Sequence, residues 1–124
     1  MAQRLRAAAL APCYTPRPLM ENFFRDLPVP GPDESVEVLA SAPGFRIERI
    51  VSRGHHSPEG FWYDQSDDEW VLLLAGAAAV AFDNGRMVAL APGDWLELPA
   101  HVRHRVAWTD PSTDTIWLAV YRRA

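Results

Sequence analysis

Lysine is absent. All 12 basic residues are arginine, so Schiff-base chemistry and a P-loop phosphate site, which both need an amine, are excluded. Cysteine is nearly absent, since Cys13 stands alone. One thiol makes neither an internal disulfide nor a cysteine zinc cluster. Near the N-terminus it reads as a spectator, not a nucleophile. No run of about eighteen apolar residues occurs, so no membrane-spanning helix is expected. Positive charge is short as well, and a net charge of −4 argues against a nucleic-acid surface. Histidine is scarce: His55, His56, His101 and His104 are the full set of four. The expectation is a cytoplasmic protein whose ligand is a small molecule.

What is present fits one domain. A chain of 124 residues with 48% hydrophobic and 23% charged residues can bury a single core. Two segments are expected, residues 1–34 as an extension and linker and residues 35–124 as the domain. Residues 1–20 hold Arg4, Arg6 and Arg17 and no acid. A transit peptide has that composition. The plainer expectation is a disordered extension, or an upstream start with Met20 as the original initiator. Glu21–Leu27 is expected to form about one helical turn, with Phe23, Phe24 and Leu27 on the domain. Pro28-Val29-Pro30-Gly31-Pro32 then reads as a stiff linker.

The remainder reads as short strands. Ser35–Ser41, Phe45–Ser52, Phe61–Gln65, Glu69–Ala75, Ala77–Phe82, Arg86–Ala91, Trp95–Leu98, Arg103–Thr109 and Asp114–Arg122 are the expected strands. Turn signals separate them, the strongest being Asp83-Asn84-Gly85, where Asn and Gly tolerate positive φ. This spacing predicts an all-β sandwich or closed barrel. Both faces of Phe45–Val51 and of Asp114–Tyr121 carry large apolar groups. One small barrel interior cannot bury both, so a homodimer is expected.

The stretch Pro92–Trp108 carries the chemistry. In its second strand His104, Val106 and Trp108 share one face by parity, and Arg103, Arg105 and Ala107 share the other. Upstream, Glu69 leads into the apolar run that ends at Gly76. Together these segments read E-x6-G, then G-x5-P-x-H-x2-H, with Glu69, Gly76, Gly93, Pro99, His101 and His104 in the fixed places. The pattern resembles the cupin family, over roughly Phe45 to Tyr121. That resemblance implies a double-stranded jelly-roll β-barrel with a short irregular or helical N-terminal segment. It also implies a metal site made by two His and a Glu from the first motif and a His from the second. Glu69 and His104 match by position, while His101 stands where the second motif usually has Gly. The H-x-H of the first motif has no counterpart, because its places fall on Tyr63 and Gln65 or on Trp62 and Asp64.

Two functional readings follow. In the first, a divalent ion (Fe, Mn, Ni or Zn) is held weakly by Glu69 and His104, with His55 as third ligand and Gln65 as the alternative. The protein would then be an enzyme of dioxygenase or isomerase type acting on a small organic molecule. His55 is preferred to His56 because it adjoins the Gly54 hinge; adjacent residues of an extended chain point oppositely. His101 is expected in a solvated turn. Tyr63, Gln65 and Trp108 are the expected substrate contacts, the aromatic rings favouring a flat or apolar ligand. In the second reading the barrel binds a small molecule or a partner without metal and without catalysis.

Overall fold

The computed structural model describes residues 19–124. The readings made for Cys13 and for residues 1–18 lie outside the described residues. Eight strands follow in order: β1 (Ser35–Ala42), β2 (Phe45–Ser52), β3 (Asp67–Ala75), β4 (Ala78–Phe82), β5 (Met87–Leu90), β6 (Trp95–Leu98), β7 (His104–Thr109) and β8 (Thr115–Arg123). There is no helix among them. Strands β1-β2-β8-β3-β6 form one sheet and β5-β4-β7 the other, all neighbours antiparallel. Two sheets closed face to face are the barrel expected from the strand spacing and the jelly roll that the resemblance implies.

Register decides what faces inward. Arg46, Glu48 and Ile50 on β2 stand opposite Tyr121, Ala119 and Trp117 on β8. Glu69, Val71 and Leu73 on β3 stand opposite those same three. Directly paired residues share a sheet face, so this row lines the interior. Val71, Leu73, Val80, Leu98, Trp117 and Ala119 make its apolar floor. The alternating burial of β3, with Glu69, Val71 and Leu73 in, is the period of a strand packed on one face.

Three expectations need correction. Phe61–Gln65 is not a strand, and its only ladder contact is an isolated bridge between Tyr63 and His104. Phe61 N–H instead donates back to Pro58 O at 3.1 Å, closing a turn, so too little chain remains for a second rung. Glu21–Leu27 is not helical. Asn22 takes both the Arg25 and Phe24 amides, on its carbonyl and on Oδ1, and Asp26 has φ 52. That is an Asx-type turn, which competes with helix. Phe24 accordingly stays 52% exposed. Trp108 does not share the face of His104 and Val106. Val80 pairs with Val106 and Ala79 with Trp108, so Ala107 is an extra residue in β7. This bulge reverses parity beyond it, leaving Trp108 46% exposed and turning Thr109 inward at 1%.

The turn between β3 and β4 is the tightest backbone approach. Gly76 has φ +85, and a Cβ there would lie 2.6 Å from Thr115 Cα and 2.7 Å from Asp114 O. Gly85 has a similar φ with open space around it. Gly85→Ala should therefore lose only the left-handed penalty, about 1 kcal/mol. Gly76→Ala should lose clearly more, about 3 kcal/mol, because backbone must move. Urea unfolding of both variants checks the difference; equal losses would contradict the register at β3 and β8.

Candidate functional site

The site sits where the two sheets face each other at one end of the barrel. β3 supplies Glu69 at its start, β8 supplies Tyr121 directly beside it, and β7 supplies His104 from the opposite sheet. Glu69 is 8% exposed and His104 6%. A carboxylate this buried requires hydrogen bonds. Gln65 Nε2 donates to Glu69 Oε1 at 2.9 Å, and Tyr121 stands beside Glu69, close enough for its hydroxyl to feel that charge. His104 Nε2 lies 3.7 Å from Glu69 Oε1.

The tautomer of His104 follows from its other nitrogen. Nδ1 is 2.9 Å from Val102 O, and a carbonyl only accepts, so Nδ1 carries the proton. In the neutral ring Nε2 is then a bare acceptor facing the cavity. Two acceptors thus confront each other across 3.7 Å, longer than a hydrogen bond. A group with two N–H or O–H protons placed between them would satisfy both.

The segment Tyr63–Gln65 closes the site. Tyr63 and His104 exchange backbone bonds of 2.7 and 3.2 Å, and His101 N–H reaches Gln65 O at 2.7 Å. The Tyr63 ring stacks on the imidazole, centroids 5.4 Å apart. His101 itself is outside, its Nδ1 2.7 Å from Asp64 Oδ1 in an exposed pair. Behind this segment is a cavity of about 90 Å³, lined by Glu34, Tyr63, Gln65, Glu69, His104 and Tyr121 above the apolar floor.

Acid–base character follows from burial. Tyr121 is pushed well above the usual tyrosine range by desolvation, then by the charges of Glu69 and Glu48. It therefore stays a proton donor. Tyr63 is raised too, first by burial and then by Glu34 and Glu69. Glu34 is raised above 4.5 chiefly by burial, with the Ser52 hydrogen bond opposing. Its Oε2 accepts from Ser52 Oγ at 2.8 Å, and Ser52 Oγ accepts from Trp117 Nε1 at 3.3 Å.

Of the sequence candidates, the fold brings Gln65, Glu69, His104 and Tyr63 together. It does not bring His55. The His55 Nδ1 accepts from Arg53 N–H at 2.9 Å, and Nε2 donates to Gly31 O at 2.8 Å. Both ring nitrogens are thereby engaged outside the inner cavity, which corrects the preference for His55 over Gln65. Trp108 is turned away by the β7 bulge. Tyr121 and Glu34 were missed. Tyr121 shares a face with Trp117 by parity, a visible signal; Glu34 stands at the end of the linker, where no pattern marks it.

A cupin-domain family model matches residues 50–121. The chain belongs to the cupin family. No curated protein matches it. Among solved structures this cupin resembles a candidate mannose-6-phosphate isomerase of Ralstonia eutropha JMP134, at 48% identity and TM-score 0.81 over 86% of this chain and 100% of that one. It also resembles a cupin superfamily protein of Desulfitobacterium hafniense DCB-2, at 20% identity and TM-score 0.63 over 81% and 94% of the chains. The DMSP lyase DddQ of Ruegeria pomeroyi DSS-3 is 18% identical, at TM-score 0.61 over 72% and 46%. The last two show the fold alone. Cupins commonly bind metal ions. In this cupin the donor set falls short: among the described residues no three His, Cys, Asp or Glu side chains converge. Catalytic metal sites use about three protein ligands; Glu69 and His104 are two, and Gln65 presents its amide N–H₂ toward Glu69.

A raised carboxyl value has a definite sign. The folded state holds the Glu34 proton more tightly than the unfolded chain does. The stability this contributes is present in full below the ordinary value of 4.5 and is lost as pH rises through the folded value. Glu34→Gln should therefore melt above the wild type at pH 7.5, with the gap closing as pH falls toward 4.5. Melting curves across that range check it, and a variant melting lower at pH 7.5 would contradict the assignment.

Proposed function

We propose that this cupin is an isomerase-type enzyme that moves a proton between adjacent carbons of a small hydroxy-carbonyl compound. The observation that carries the reading is the confrontation of two buried acceptors, Glu69 Oε1 and His104 Nε2, 3.7 Å apart at a cavity of about 90 Å³. A substrate hydroxyl can donate its one proton to His104 Nε2 while the adjoining carbon faces Glu69. The isomerase name of the 48% identical Ralstonia eutropha protein supports the reaction class.

The chain's own residues account for each transfer. Glu69, held by Gln65, takes the proton from the hydroxyl-bearing carbon. The C–H pair becomes the C=C bond of an enediol as the carbonyl pair moves to oxygen. His104 Nε2 takes the hydroxyl proton and returns it to the former carbonyl oxygen, while Nδ1–H stays on Val102 O. Glu69 then gives its proton to the neighbouring carbon. Every proton taken is returned, so no oxidant or reductant is needed. Tyr121 keeps its proton beside the carboxylate. Tyr63, stacked on His104, keeps bulk water from the pair. A divalent ion held by Glu69 and His104 alone would bind weakly.

Paired acid–base groups contribute about 10²- to 10⁴-fold. Interconversion of dihydroxyacetone and glyceraldehyde, with exchange of the carbon-bound hydrogen in D₂O followed by NMR, should fall by about that factor in Glu69→Gln and in His104→Ala. Wild-type protein giving no exchange above buffer would leave the non-catalytic binding reading in its place.

We also infer a cytoplasmic homodimer, joined through the outer face of the β1-β2-β8-β3-β6 sheet. Ile47, Val120 and Trp70 form one outer row, and Leu118, Leu72 and Trp95 the next. Trp95 is 57% exposed, and all the others are only half-buried. Among the described residues no helix is long and apolar enough to cross a membrane. Sedimentation at tens of micromolar should give a dimer, and Val120→Asp should give a monomer. A wild-type monomer would contradict the pairing.

A further inference from the structure

Resting on the reading of this cavity as the substrate site, we propose that it admits only uncharged or cationic molecules bearing hydroxyl or amine donors, and that Glu34 excludes anionic ones. Glu34 borders two spaces. It lines the inner cavity and also a larger outer groove of about 580 Å³ that runs past Arg53, His55 and His56. Tyr63 and Val106 are the other residues common to both spaces. A ligand in either space therefore meets this carboxylate.

This carboxylate is half-occupied. Ser52 Oγ donates to Oε2, and among the described residues no donor reaches Oε1. Ser52, itself held by Trp117, fixes the group where it lines both spaces. It can accept from a ligand O–H or N–H and cannot donate while ionised.

No fixed positive charge offsets it; His55 opposes it from the groove, and only when protonated. No arginine lines the inner cavity. Arg46, the nearest on the interior face of β2, is committed to Glu48 Oε2 at 2.6 Å and lies over the Tyr121 ring at 4.1 Å. Arg53 in the outer groove is held by Asp114 and by Ser112 O. The imidazoles of His55 and His56 lie in the groove, not the cavity. Three carboxylates, Glu34, Glu48 and Glu69, are close enough to act on one another. A phosphate or carboxylate entering this field meets like charge at short range with no free partner. The relative's name indicates a phosphorylated sugar; this carboxylate bars a phosphate from the inner cavity and selects the unphosphorylated compound.

The Trp117 indole N–H is a built-in reporter, since it bonds Ser52, which bonds Glu34. The test is titration of its ¹⁵N–¹H signal in the full chain with dihydroxyacetone, ethanolamine, glycolate and dihydroxyacetone phosphate. Dihydroxyacetone or ethanolamine should shift the signal and saturate. Both anions should bind roughly tenfold or more weakly, the size of one like-charge contact. Glu34→Gln should bring glycolate within about threefold of dihydroxyacetone. The wild-type comparison stands without the variant. Anions binding as well as neutral probes, silence with all four, or discrimination unchanged in Glu34→Gln would each overturn the proposal. Selective binding without isomerisation would support it while refuting the catalytic reading.

Discussion

A buried carboxylate is the constraint around which the rest is arranged. Glu69 stands in the interior row of an apolar barrel, where an unpaired carboxylate costs several kcal/mol. The fold meets that cost with the Gln65 amide as donor and brings two further pieces of chain around the group. Tyr121 comes from the neighbouring strand, Gln65 from the segment that crosses the mouth, and His104 lies across from the other sheet. Moving any of these pieces would expose or orphan the group. The Tyr63–His104 backbone bridge and the Tyr63 ring against the imidazole hold the crossing segment in place. The barrel is therefore polar and convergent at one end and filled by Leu73, Val80 and Leu90 at the other.

The same logic extends along the interior of β2. Glu48 is 4% exposed and is matched by Arg46 two residues before it on the same face. Ser52 links Trp117 to Glu34. On the outer face Arg49, 7% exposed, pairs with Glu37 and donates to the Phe23 and Arg25 carbonyls. That guanidinium pins the turn at Asn22–Arg25 to the sheet. Burial in this small cupin is thus shared between hydrocarbon and matched polar groups, and the polar share gathers at the mouth.

Much of the barrel was legible from residue order. The apolar run after Glu69 marked a buried strand, and turn residues placed the hairpin at Asp83–Gly85. What parity cannot show is an inserted residue. Trp108 was assigned to the cavity because nothing in HRVAWT marks Ala107 as a bulge. Pairing with β4 creates that bulge, and pairing is a long-range property. His55 was preferred as an imidazole near a glycine, yet the loop's own backbone at Arg53 and Gly31 claims both nitrogens. Tyr121 was visible as a strand residue, but its role depends on β3 lying beside β8. Glu34 belongs to no periodic element, so only the fold reveals that it borders the cavity.

The central claim is that His104 presents a bare Nε2 beside Glu69, leaving an acceptor to which a substrate hydroxyl can donate. The tautomer is directly measurable. Long-range ¹H–¹⁵N correlation of the His104 ring, recorded at a pH where the imidazole is neutral, should show the proton on Nδ1 and an unprotonated Nε2. Adding dihydroxyacetone should move the Nε2 resonance as that lone pair takes up a hydrogen bond. A proton found on Nε2, already donated to Glu69, would contradict the account.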